Sequence, residues 1–174
     1  MATRESLRDA PQALFNTGTV LDVDREMVEH LKEQARRSPT RRFRLCLHHS
    51  PDDIVQEMII VHCRDNYSRP HCHPVATTVV ILEGELTVLV FDAAGRVEQT
   101  IELGPLGSGK PFSLRLEADV WHMPICRSEQ LVFFETMQGP FRRDDANMWA
   151  PWSPAEDDVG GIVAYFRRLG IDRD

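Results

Sequence analysis

The chain has 174 residues, a length suited to one globular domain, with 42% hydrophobic and 27% charged residues, a balance that excludes disordered and low-complexity classes. A net charge of −7, from 27 acidic against 20 basic residues, argues against a duplex-binding surface. The basic set is unusual in holding only two lysines, Lys32 and Lys110, beside its arginines, and there are seven histidines.

Arg4, Glu5, Arg8 and Asp9 interrupt the start of the chain, which has no apolar core of a secretory signal, and no apolar run approaches the roughly 18–20 residues of a membrane span. Cys46, Cys63, Cys72 and Cys126 form no CxxC pair and read as small, buried, reduced thiols. A cytoplasmic protein that binds neither nucleic acid nor membrane is therefore expected.

The first twenty residues show no sustained period and read as a mobile arm that packs on the domain or on a neighbouring subunit. Asp22 or Asp24 then caps a helix in which Met27, Val28, Leu31 and Ala35 share a face, ending before Pro39. From Arg42 the period becomes extended: Phe43, Leu45 and Leu47 alternate with Arg42, Arg44 and Cys46. Further strands are expected over Val55 to Val61, Val79 to Leu82, Leu86 to Phe91, Arg96 to Leu103, Phe112 to Leu116 and Gln130 to Thr136. Turns at Ser50 to Asp53, Glu83-Gly84 and Asp92 to Gly95 separate them. Short strands at this spacing, with no alternating helices, indicate an antiparallel sandwich or barrel. Val159, Ile162, Val163, Phe166 and Leu169 form the apolar stripe of a closing helix, which Gly160-Gly161 weakens. The expected division is an arm and helix over 1–40, a β-barrel over 41–141 and a C-terminal extension with a helix over 142–174.

The sharpest chemical feature is Arg69-Pro70-His71-Cys72-His73-Pro74. Histidines at i and i+2 on an extended segment point to one side, so two neutral imidazoles can share a metal ion while Cys72 faces away. His122, after the turn-like run Glu117 to Trp121, is the candidate third ligand.

These residues resemble the cupin superfamily, whose first motif is G-x5-H-x-H-x3-4-E-x6-G and whose second adds one histidine after a turn. His71 and His73 match the paired histidines and Gly84 the closing glycine, while Thr77 stands where the motif has glutamate. Within the cupins the chain is similar to the WbuC family of small metalloproteins found with bacterial surface-polysaccharide genes. The similarity is carried by the stretch Arg42 to His48, by Gln56-Glu57-Met58, Tyr67 to His73, Leu82 to Leu86, Phe91-Asp92 with Gly95, and Trp121-His122. Glu135 with Gly139-Pro140-Phe141, and Trp149-Ala150-Pro151, extend it. The resemblance implies an all-β, double-stranded β-helix (jelly-roll) barrel between an N-terminal and a C-terminal helix. It also implies a metal site at His71, His73 and His122 and a homodimer.

Thr77 in place of a carboxylate leaves three neutral imidazoles, which favours one divalent zinc, iron or nickel ion over harder cations. Glu135 shares strand parity with Leu131 and Phe133 and so faces the interior with them. It reads as a substitute ligand, a general base, or a strand-exit carboxylate bonded to nearby loop backbone. Tyr67, Arg69 and Thr77 are candidate pocket residues, Arg69 offering a fork for a carboxylate or phosphate. His48, His49 and His62 read as solvated or hydrogen-bonded side chains, and Trp149 as a packing anchor. Arg36-Arg37, Arg41-Arg42-Arg44, Arg142-Arg143 and Arg167-Arg168 read as solvated faces beside acidic neighbours.

The expected function is metal-dependent action on, or binding of, a small polar, sugar-related molecule, of isomerase, epimerase or oxygenase type if catalytic. The alternatives are a non-catalytic sensing module and a metal-free sugar-nucleotide epimerase or isomerase.

Overall fold

A computed structural model describes residues 6–142 and 148–171. Arg4, Glu5 and Arg143, named above, lie outside the described residues. The eight central strands are β4 (Val55–Cys63), β5 (His71–Cys72), β6 (Thr77–Glu83), β7 (Leu86–Phe91), β8 (Val97–Leu103), β9 (Ser113–Leu116), β10 (Trp121–Cys126) and β11 (Gln130–Gln138). They pair as β4-β11-β6-β9 in sheet A and β5-β10-β7-β8 in sheet B. That order, with every pairing among them antiparallel, is the two-Greek-key order of a jelly roll.

The period-2 rule explains why β4 is apolar almost throughout. Met58 and Ile60 point into the barrel, where they meet Val79, Ile81, Leu131 and Phe133 of sheet A and Leu86, Val88 and Leu103 of sheet B. Ile59, Val61 and Cys63 point outward and are covered by α1 (Arg25–Arg37). Asp24 caps that helix by accepting a hydrogen bond from Met27 N at 2.9 Å. Its buried residues Met27, Leu31 and Ala35 lie on one face, as their i, i+4, i+8 spacing requires. Complete burial of one such leucine is worth about 1.5–3 kcal/mol. Among the described residues, no helix is long and apolar enough to cross a membrane.

Three features differ from the sequence reading. The N-terminal arm is part of the sheet and not a mobile arm: Leu7–Ala10 (β1) and Ala13–Asn16 (β2) form a hairpin, and β2 runs parallel to β3 (Arg42–Cys46), widening sheet A beyond the barrel. Its four-residue strands are too short to show a period. At the other end, Met148–Trp149 (β12) pairs with β5 and widens sheet B. The two sheets thus draw strands from both sides of residues 41–141.

The closing helix, α2 (Val159–Arg168), is rotated from the expected stripe. Tyr165 and Phe166 are its buried residues, whereas Val159 and Val163 are exposed. Tyr165 stacks on Trp152, and Phe166 meets Tyr67 edge-on, so aromatic contacts decide the docked face. Gly161 has a positive reason to be glycine: a Cβ there would collide with the carboxylate of Asp158, which caps the helix by accepting from Gly161 N. Gly84 serves the turn between β6 and β7 at φ +81°, pressed against Ser128 and the Gln130 carbonyl. All four cysteines are free and buried.

Candidate metal centre

Sheet pairing brings the three histidines together. His71 lies directly opposite His122 across the β5–β10 ladder, and His73 follows two residues after His71. Ring centroids are 4.4 Å apart for His71 and His122, 4.8 Å for His71 and His73, and 5.3 Å for His73 and His122. One ring nitrogen from each comes within 4.8 Å of the others. His73 and His122 are buried and His71 is half-buried.

The backbone sets the tautomers. His71 Nδ1–H donates to the Arg69 carbonyl at 2.7 Å, and His122 Nδ1–H donates to the Val120 carbonyl at 2.9 Å. A carbonyl only accepts, so in both rings Nδ1 carries the proton and Nε2 keeps its lone pair. Burial, reinforced by the neighbouring imidazoles, holds His71 well below the usual histidine pKa, and burial brings His122 down to about 4. Both rings are therefore neutral at pH 7, the form that ligates metals. The two histidine-bearing segments are also tied together, because Asp119 N donates to the His73 carbonyl at 2.8 Å.

The C-terminal extension braces this arrangement. Arg69 Nε donates to Ser153 Oγ at 3.0 Å, and Arg69 Nη2 donates to the Ala150 carbonyl at 3.2 Å. Ala150 N in turn donates to the Pro70 carbonyl at 2.9 Å. The Arg69 guanidinium is thus committed to the tail, and its backbone carbonyl aims His71. Trp149 stands opposite His71 in the β12–β5 pairing, edge-on at 5.6 Å, and remains 41% exposed. It is placed at the centre as well as serving as a tail anchor, and the short β12 pairing that puts it there leaves no periodic signal.

Thr77 and Glu135 come together on sheet A, where the Thr77 hydroxyl donates to a Glu135 carboxylate oxygen at 3.3 Å. Glu135 follows the inward parity of Leu131 and Phe133. Burial raises its pKa, and the nearby His73 opposes that rise without reversing it. The donor group within 4.8 Å contains the three histidines alone, so Glu135 flanks the set.

Tyr67 lies elsewhere. It packs on Phe166, donates to the Pro154 carbonyl at 3.0 Å and lines a surface groove with Pro39, Arg41, Glu156 and Ile162. The aromatic cluster under α2 draws the ring to the outer side of sheet B. Of the remaining histidines, His48 Nδ1 is within 3.0 Å of both the carbonyl and the N–H of Glu57. His62 differs from the sequence expectation: it is buried against Phe133, with no hydrogen-bond partner at Nδ1. Its i, i+2 relation to Ile60 turns it into the barrel core.

Comparison with other proteins bears on the fold. The profile of a domain of unknown function, DUF6016, matches residues 23–103. Among curated proteins, none matches the sequence. The solved structure of protein SO0799 from Shewanella oneidensis is similar over 75% of this chain and 86% of its own, with 14% identity and a TM-score of 0.53. A cupin superfamily protein, DSY2733, from Desulfitobacterium hafniense shares 18% identity over 56% of this chain and 76% of its own, with a TM-score of 0.45. KdgF from Halomonas sp. shares 16% identity over 62% and 86%, with a TM-score of 0.46.

The barrel is a jelly roll. Its strand order is that of the jelly roll, a class that includes the cupins, and its histidine cluster suits a metal.

Proposed function

We propose that this jelly-roll barrel is a cupin, binds one divalent metal ion through His71, His73 and His122 and acts there on a small polar, sugar-related molecule. The observation that carries the reading is the convergence of three imidazoles, two with their Nδ1 protons fixed on backbone carbonyls and their Nε2 lone pairs free to ligate. A donor set of three neutral nitrogens suits zinc, iron or nickel better than hard, oxygen-preferring cations. The WbuC-like motifs support the sugar-related ligand.

A metal bound there would supply Lewis-acid polarisation of a ligand carbonyl or hydroxyl. The protein supplies the rest. Thr77 orients Glu135, and burial raises the affinity of that carboxylate for a proton, which suits it to exchange one with a ligand held beside His73. Thr77 and Glu135 are thus the proposed pocket and proton-transfer residues, with Arg69 in a positioning role through its carbonyl.

The test is elemental analysis of untagged protein, wild type against a His71→Ala/His73→Ala variant. The expected result is close to one metal per wild-type chain and a near-empty variant. Equal substoichiometric metal in both would overturn the reading. A thermal-shift panel of sugars and nucleotide sugars, followed by turnover assays on each hit and on its Glu135→Gln counterpart, tests the catalytic part.

A further inference from the structure

The inner face of sheet A carries two arginines that the fold does not use. Arg44 of β3 lies opposite Ala13 of β2 and Ile60 of β4, both members of the barrel-interior cluster, so it leaves the sheet on the face that also bears Met58, Phe133 and Glu135. Arg8 of β1 lies opposite Phe15, with its guanidinium 4.8 Å from the centre of that ring. Phe15 in turn lies opposite Cys46, which places Arg8 and Arg44 on one face. The positive charges of both are felt by the Cys46 thiol, and that of Arg44 reaches Glu135 as well.

Both arginines are exposed, and neither joins an ion pair among the described residues. Their neighbours do: Arg41 meets Asp65 and Arg42 meets Glu156. In a chain of net charge −7, this leaves a local patch of positive charge on the barrel wall that also bears Glu135, with Ala10, Ala13 and Phe15 as its apolar floor.

We infer that the ligand of this site is a small organic anion, with its carboxylate or phosphate held by Arg44 and Arg8 and its polar remainder directed towards the three histidines. The inference rests on the reading of that centre as the ligand site and adds the charge of the ligand to it. A guanidinium fork matches either oxyanion in bidentate geometry, and the Phe15 ring beneath Arg8 limits the freedom lost on binding.

Calorimetric titration of the full-length protein, chelated and metal-loaded, with glucuronate, glucose 6-phosphate and glucose tests it. The three probes share a sugar ring and differ in the group at one end. At least one charged probe should bind at least tenfold more tightly than glucose, and which one does so separates carboxylate from phosphate. Arg44→Gln should weaken that probe at least tenfold with metal content unchanged, Arg8→Gln should weaken it less, and Arg44→Lys should restore part of the loss. Equal binding of glucose, no binding of any probe, or an Arg44→Gln protein that binds as the wild type does would overturn the inference. Arg44-dependent binding in a protein that takes up no metal would sustain the anion site and defeat the metal reading, so the two fail separately.

Discussion

On sheet B the functional groups are aimed by their own backbone, whereas on sheet A they are assembled from strands distant in sequence. His71 and His122 each donate to the carbonyl two residues earlier, so the same short segment supplies ligand and orientation. Across the barrel, Arg8, Arg44, Thr77 and Glu135 come from four strands, and only register places them on one face. The first wall carries the imidazoles, and the second carries the guanidinium groups and the carboxylate. A site built this way separates holding an ion from choosing a ligand, because the groups for each task rest on different sheets.

The strongest way to break the contrast is to remove what joins the walls. Leu131 is fully buried in the interior cluster that both sheets share. Leu131→Ala should cost about 2–5 kcal/mol in chemical denaturation, lowering stability on both sides at once. An unchanged midpoint would mean that the sheets are held together elsewhere. Next in size, His122→Ala should weaken metal retention by about 100-fold or more in competition with a chelator. Because Arg44 and Arg8 lie on the other wall, the same variant should keep the salt sensitivity of anion binding. Loss of both would show that the walls do not act independently.

The asymmetry also explains what could be read in the chain beforehand. The paired histidines, Gly84 and the alternation from Phe43 onward are local signals, and they led to the barrel and to the three histidines that converge in it. Arg44 gave no such signal. In sequence it is one of a basic run beside acidic residues; Arg42 leaves the same face of β3, and what distinguishes Arg44 is that Arg41 and Arg42 find carboxylates in the folded chain. Trp149 was legible as an aromatic near a proline, but its place beside His71 depends on a two-residue strand from another part of the chain. The rotation of α2 has the same origin: Tyr165 is buried because Trp152 is there to receive it.

His62 allows a test of the sheet A wall through pH. Burial, with Arg42 and Arg44 adding to it, lowers its pKa from 6.5 to about 3. Below pH 6.5 the unfolded chain takes up a proton that the folded chain refuses, so the stability present above that pH is lost progressively as the pH falls towards 3. A His62→Leu variant removes the titrating group. Its stability relative to the wild type should improve by about 1.4 kcal/mol per pH unit below 6.5, read from urea midpoints at pH 7, 6 and 5. Parallel curves for the two proteins would show that His62 is protonated in the folded state.

The smallest effect probes the brace behind sheet B. Ser153 Oγ accepts from Arg69 Nε at 3.0 Å and donates to the Ala150 carbonyl at 2.8 Å, and the Arg69 carbonyl sets the tautomer of His71. Ser153→Ala removes both hydrogen bonds without touching a ligand. The cost in stability should be about 1 kcal/mol, and metal affinity should fall a few-fold because His71 is held less firmly. Anion binding by the arginines of the opposite wall should not change. If metal affinity is unaltered while stability falls, the tail only clamps the chain; if both fall together, the extension after the barrel is part of the machinery that aims the first histidine.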